Sequence, residues 1–240
     1  MCLVIVSKRN QSRPDHDILK QSVASNPHGN GIAWNAKGKV YWRKGITLDD
    51  IVSMLALIPA ESNVVIHNRL ATVGEASSAL CHPFPIGGSL ALEGNTRDGI
   101  IAHNGHMHNW RELLLAVSKA RIPRGPWSDS RAIAILARYG NGVLELVDEK
   151  IVLLTPKRVK LFGSGWKDHN GFIVSNLNFQ VSYGYPTLGV SIPLVNKRSE
   201  ANQTFEDARN GYFESLAKER NELREEIRNR SLGDWGHWSE

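Results

Sequence analysis

Cysteine is scarce in this chain, with only Cys2 and Cys81 among 240 residues. Neither belongs to a CxxC pair, which argues against a disulfide-stapled secreted scaffold and a zinc ribbon. Long apolar runs are missing too. Nothing approaches the roughly 18 to 20 consecutive apolar residues that span a bilayer. The opening MCLVIVSKRN has too short an apolar stretch for a signal peptide, so the expectation is a cytoplasmic protein without a membrane partner. No glycine-rich phosphate loop follows a strand-like run, and regular βαβ alternation is absent, which argues against a Rossmann sheet. No helix-turn-helix, zinc-finger or RNA-binding signature accompanies the net charge of +5. The basic excess therefore reads as a solvated surface and not as a nucleic-acid site.

What is present is an ordinary globular composition, 41% apolar and 22% charged, which excludes wholesale disorder. The LVIV run at 3–6 predicts a buried strand. GIAW (31–34) and KVYW (39–42) predict a hairpin around Asn35-Ala36-Lys37-Gly38. Thr47, with Asp50 three residues on, predicts a capped helix ending before Pro59. NVVIH (63–67) and GIIAH (99–103) read as strands. Asn109-Trp110-Arg111-Glu112 opens a helix running through Leu113, Leu114 and Val117, and another is expected from about Ser130 to Tyr139. KIVLLTP (150–156), RVKLF (158–162) and GFIVS (171–175) then read as stacked antiparallel hairpins. Strands, then helices, then strands give an α+β class.

Residues 197–231 differ, with eight basic and eight acidic side chains. An apolar stripe of Phe205, Tyr212, Leu216, Leu223 and Ile227 predicts an amphipathic helix over 205–230. The expected division is 1–196 as the main domain and 197–240 as a helical extension. That helix would pack on its own domain, on a second copy of the chain or on another protein.

Cys2 carries the chemistry. Removal of Met1 would leave it with a thiol and a free α-amine on one residue, and an α-amine of pKa about 7.7 to 8.0 is able to take the thiol proton. The order Cys2, then RLATVG (69–74), CHPF (81–84), AHNG (102–105) with NWREL (109–113), and SDS (128–130) resembles the class II glutamine amidotransferase domain of the N-terminal nucleophile hydrolases. The resemblance spans roughly 2–180.

It implies a four-layer αββα sandwich and hydrolysis of glutamine through a γ-glutamyl thioester on Cys2. Arg69 would bind the substrate α-carboxylate and Asp129 its α-ammonium. Asn104 and Gly105 would form the oxyanion hole, while Thr72 and His82 would line the pocket. The ammonia would pass to an acceptor synthase on another chain. A stand-alone γ-glutamyl amide hydrolase and a catalytically silent basic binding module are the other readings.

No cofactor is implied. His103, His106 and His108 lack the carboxylate or thiolate that would complete a metal site, so none is expected. Cys81 reads as a buried thiol. Leu3 stands where the family usually has glycine, and Leu70 and Val73 where tryptophan and histidine are common. Leu3 is thus expected to crowd the backbone beside the nucleophile.

Overall fold

The computed structural model describes residues 2–71, 77–117, 124–140 and 142–180, all within one compact unit, Met1–Gly184. The amphipathic segment 205–230, the boundary at 196–197 and Thr72 lie outside the described residues.

The chain runs β1 (Leu3–Ser7), α1 (His16–Ser25), β2 (Asn30–Ala36), β3 (Lys39–Ile46), α2 (Leu48–Leu57) and β4 (Val64–Asn68). It continues through β5 (Phe84–Pro85), β6 (Glu93–Thr96), β7 (Ile100–Asn104), α3 (Trp110–Val117), α4 (Asp129–Leu136) and α5 (Gly142–Glu145). β8 (Lys150–Leu154), β9 (Val159–Phe162), β10 (Lys167–His169) and β11 (Phe172–Val174) follow. The protein is mixed α+β, with antiparallel pairing in both sheets. One sheet has seven strands in the order β10-β11-β1-β4-β2-β3-β6, and the other has four in the order β5-β7-β8-β9.

Local chemistry explains several boundaries. Thr47 accepts from the Asp50 N–H at 3.2 Å while the Asp50 carboxylate accepts from the Thr47 N–H at 2.9 Å, a reciprocal box that starts α2. Asp15 caps α1 at 2.8 Å and Ser128 caps α4 at 3.1 Å. The β2–β3 turn is only Lys37-Gly38, both at positive φ. It is shorter than expected because the strands extend inward to pair Ala36 with Lys39.

β1 shows why an unbroken apolar run was needed. Leu3 and Ile5 pack into a cluster with Leu19 of α1 and Ile51 of α2, whereas Val4 and Val6 pack with Ile100 and Ala102 of β7 and Val152 and Leu154 of β8. Successive side chains face opposite ways, so a strand covered on both sides must be apolar throughout. β7 and β8 repeat the pattern. Ile101, Ile151 and Leu153 join a third cluster with Trp110 and Leu114 of α3 and α4 residues Ala132 to Leu136.

The last hairpins divide between the sheets. β8 and β9 pair in the four-stranded sheet, while β10 and β11 extend the other, β11 pairing Val174 with Ile5 of β1. That pairing brings Ser175 and Asn176 beside the chain's beginning. The helix expected over 130–139 is α helical only to Leu136 and closes with a 3-10 turn at Ala137–Tyr139. Among the described residues no helix is long and apolar enough to cross a membrane.

Candidate active site

Cys2, Arg69, His82, Gly105 and Asp129 line one pocket, together with Leu70, Ala71, Leu80, His103, His106, Ser128 and Ser130. They come from distant parts of the chain. Cys2 immediately precedes β1, Arg69 follows β4, Gly105 follows β7, and Asp129 is the first residue of α4. Antiparallel pairing sets the first two side by side, since Leu3 is registered opposite Asn68.

The Cys2 backbone is held by Asn176, whose Nδ2 donates to the Cys2 carbonyl at 2.8 Å. The thiol donates to the Leu70 carbonyl at 3.5 Å. Burial is the main influence on it and pushes its pKa up, against smaller downward pulls from the Leu70 backbone, the terminal ammonium and Arg69. The thiol is therefore neutral near pH 7, and its use as a nucleophile requires a base.

Leu3 does not crowd this site, contrary to expectation. Its side chain is fully buried on the opposite face of β1, against the helices. A glycine is not needed there because alternation along the strand sends Cys2 and Leu3 apart.

Arg69 is buried, and its backbone is clamped by two bonds: its N–H donates to the Gly29 carbonyl at 2.8 Å, and its carbonyl accepts from the His28 N–H at 2.9 Å. Its guanidinium also donates to the Ser77 carbonyl at 3.4 Å. Asp129, 7% exposed, accepts from the Ser130 N–H at 2.8 Å and the Met107 N–H at 3.1 Å. His106 Nδ1 lies 3.7 Å from Asp129 Oδ2. A cation and an anion thus flank the opening, as recognition of a zwitterion would require.

Asn104 and Gly105 are placed differently from each other. Gly105 faces the pocket, but the Asn104 side chain turns to Ser175, its Nδ2 donating to Ser175 Oγ at 2.8 Å. Ser175 Oγ also accepts from the Val4 N–H at 2.9 Å, linking β1, β7 and the end of β11. Asn104 Nδ2 carries a second proton, so this bond does not exhaust its donors.

His82 reaches the pocket on a segment that lies directly over β2. A Cβ on Gly31 would collide with the His82 carbonyl, so glycine is what permits this approach. His82 stacks at a tilt on His67, with ring centroids 3.9 Å apart, and His103 Nδ1 meets Ser130 Oγ at 3.0 Å. Among the described residues, both ring nitrogens of His67 and His82, and Nε2 of His103, have no hydrogen-bond partner. Burial drives His67 down to about 3 and His82 well below the usual imidazole range. It also lowers His103, against opposing pulls from Asp129 and Glu149. The backbone of His103 opposes the shift of His67. All three rings are neutral near pH 7.

Among the described residues no group of three or more His, Cys, Asp and Glu is arranged to hold a metal. His106 and His108 meet edge to face at 4.1 Å, while His103 turns to Ser130. Cys81 is buried beside the pocket wall, its thiol 3.6 Å from the Ser77 carbonyl, and burial raises its pKa. Lys44 is buried behind the wall against the Phe84 ring at 4.1 Å, and burial lowers it to about 8.

Residues at the site that sequence reasoning did not single out are Ser130, Glu149, Ser175 and Asn176. Ser130 stood within the SDS motif at 128–130, and Ser175 and Asn176 in the IVSN run at 173–176, without a role being drawn from either. Glu149, ahead of a strand, stood in no such motif.

No protein-family profile matches the chain, and no curated protein matches it in sequence. Among solved structures it is similar to one described as the allosteric regulatory enzyme of purine biosynthesis, with a TM-score of 0.50 and 15% identity over 72% of this chain. The chain spans 41% of that enzyme's length. At this identity the likeness extends to the fold, and it agrees at that level with the resemblance drawn from the motifs.

Proposed function

We propose that this chain is a glutaminase of the class II glutamine amidotransferase type, on a four-layer αββα sandwich. The observation that carries the reading is the convergence of Cys2, Arg69, Asp129 and Gly105 on one pocket. The two sheets facing each other across one apolar cluster, with helices against their outer faces, support the sandwich.

In this mechanism glutamine binds with its α-carboxylate toward Arg69 and its α-ammonium toward Asp129. Its side-chain amide then lies at Cys2. Removal of Met1 frees the Cys2 α-amine, which accepts the thiol proton as sulfur attacks the amide carbon. A C–S bond forms and the carbonyl pair moves to oxygen. The Gly105 N–H and the second Asn104 N–H donate to that oxyanion, charge that exists only during the reaction. Collapse breaks the C–N bond, and the departing nitrogen takes the proton back from the α-ammonium and leaves as ammonia. Water, deprotonated by the same amine, cleaves the thioester to glutamate and regenerates the thiol.

The neutral thiol and the neutral imidazoles support this division of labour. None of the three buried histidines is charged to assist, which leaves the base role to an amine at the chain's start. The test is intact mass together with glutamate release from glutamine, for wild type and Cys2→Ala, and labelling by a glutamine-mimicking electrophile. A mature mass lacking Met1 and a label on Cys2 are expected. A label on Cys81 that spares Cys2, or undiminished glutamate release by Cys2→Ala, would refute the assignment.

A further inference from the structure

Three successive main-chain N–H groups follow β7, at Gly105, His106 and Met107. Two are committed to carboxylates. His106 N–H donates to Glu149 Oε1 at 3.2 Å and Met107 N–H to Asp129 Oδ2 at 3.1 Å. The Gly105 N–H has no such partner among the described residues, and Gly105 lines the pocket.

Glu149 also occupies the other flank of Gly105. A Cβ added there would run into the Glu149 carboxylate. Gly105 does not adopt a positive φ, so glycine is required for space and not for backbone conformation. The residue that takes the space is Glu149.

The neighbouring residue serves the second donor. Lys150 Nζ donates to the Ser175 carbonyl at 2.5 Å, and Ser175 Oγ in turn accepts from Asn104 Nδ2 at 2.8 Å. Consecutive residues at the start of β8 thus brace the two groups of the oxyanion hole by separate routes. Resting on the glutaminase reading, the geometry points to Glu149 and Lys150 as the positioning residues of that hole: Glu149 fixes the turn that aims the Gly105 N–H, and Lys150 fixes Ser175 and through it the Asn104 amide.

Neither touches the reacting atoms. Their effect belongs to the transition state, because substrate binding relies on Arg69 and Asp129. For Glu149, hydrogen bonding matters and charge does not, since a carboxylate beside an oxyanion is itself unfavourable. Glutamine keeps the acceptor and removes that charge.

The experiment compares Glu149→Ala, Glu149→Gln, Lys150→Met and Lys150→Arg in steady-state glutaminase kinetics, with amide hydrogen exchange at His106 followed by NMR. Glu149→Ala and Lys150→Met are expected to lower kcat about tenfold to a hundredfold, the scale of a small misplacement of catalytic groups, with KM held within about twofold. Glu149→Gln and Lys150→Arg should keep at least about a third of kcat, because they retain the bonding groups. Exchange at His106 should quicken by roughly tenfold or more in Glu149→Ala and stay slow in Lys150→Met. Unchanged kcat in both disruptive variants, a rise in KM that matches the fall in kcat, or failure of both conservative variants to rescue would overturn the proposal. A wild-type protein without Cys2-dependent glutaminase activity would sink the functional reading instead. The exchange measurement still decides the bracing in that case, and unaltered His106 exchange in Glu149→Ala would refute it.

Discussion

Lowering the pH from about 7.5 to 5 should strip this protein of much of its stability, through three side chains. His67, His82 and His103 are 1%, 4% and 2% exposed. Burial holds all three rings neutral, His67 down to about 3. In the unfolded chain an imidazole titrates near about 6.5. These folded pKa values are depressed, so below that value the unfolded state binds more protons and stability falls as pH falls. The contribution is complete above the unfolded pKa and shrinks until the folded pKa is reached, which for His67 is about 3.

For one such ring, going from pH of about 7.5 to 5 costs about 2 kcal/mol. His67 and His82 together cost about 4 kcal/mol, against a typical total of about 5 to 15, and the lowered His103 adds to the loss in the same direction. Carboxylates titrate mostly below about 4.5, so they add little over this range. The assay is urea unfolding followed by circular dichroism at several pH values. The slope below about pH 6 should reach at least about two protons, and His67→Gln should reduce it by about one. A loss under about 2 kcal/mol by pH of about 5 would show that the histidines are hydrated or paired, and the reasoning would fail.

Arg69→Lys should raise KM for glutamine about tenfold to a hundredfold while leaving kcat nearly unchanged, because an ammonium cannot reproduce a planar two-pronged grip on a carboxylate. An unchanged KM would remove Arg69 from substrate binding. Asn104→Ala should lower kcat by about two to three orders of magnitude with little effect on KM, and steady-state kinetics that leave kcat intact would exclude its amide from the oxyanion hole. Leu3→Ala should cost about 2 to 5 kcal/mol in chemical denaturation, as expected for a fully buried leucine, while the Cys2 labelling rate stays the same. A faster labelling rate with unchanged stability would instead mean that Leu3 does crowd the nucleophile.

Much of the local architecture was legible in the amino-acid order because it depends on neighbours in the chain. The apolar run at 3–6 forms a doubly covered strand, Thr47 and Asp50 close their box within four residues, and Lys37-Gly38 turns the hairpin. α1 escaped notice because its apolar residues are few, and its Asp15 cap bonds Ile18 ahead of a weak pattern. The ordered motifs marked Cys2, Arg69, His82, Gly105 and Asp129, all of which line one pocket.

Tertiary structure decided what those motifs left open. It chose which sheet receives β11 and so placed Asn176 on the Cys2 carbonyl across 174 positions of sequence. It turned Leu3 away from the nucleophile and Asn104 toward Ser175, set Glu149 against Gly105, and buried the three imidazoles deeply enough to hold them neutral. A cap or a two-residue turn is determined by bonds that close over a few residues. The direction of a side chain, the space beside a glycine and the charge of a buried ring depend on which distant segments pack around them, and only the folded chain brings those segments together.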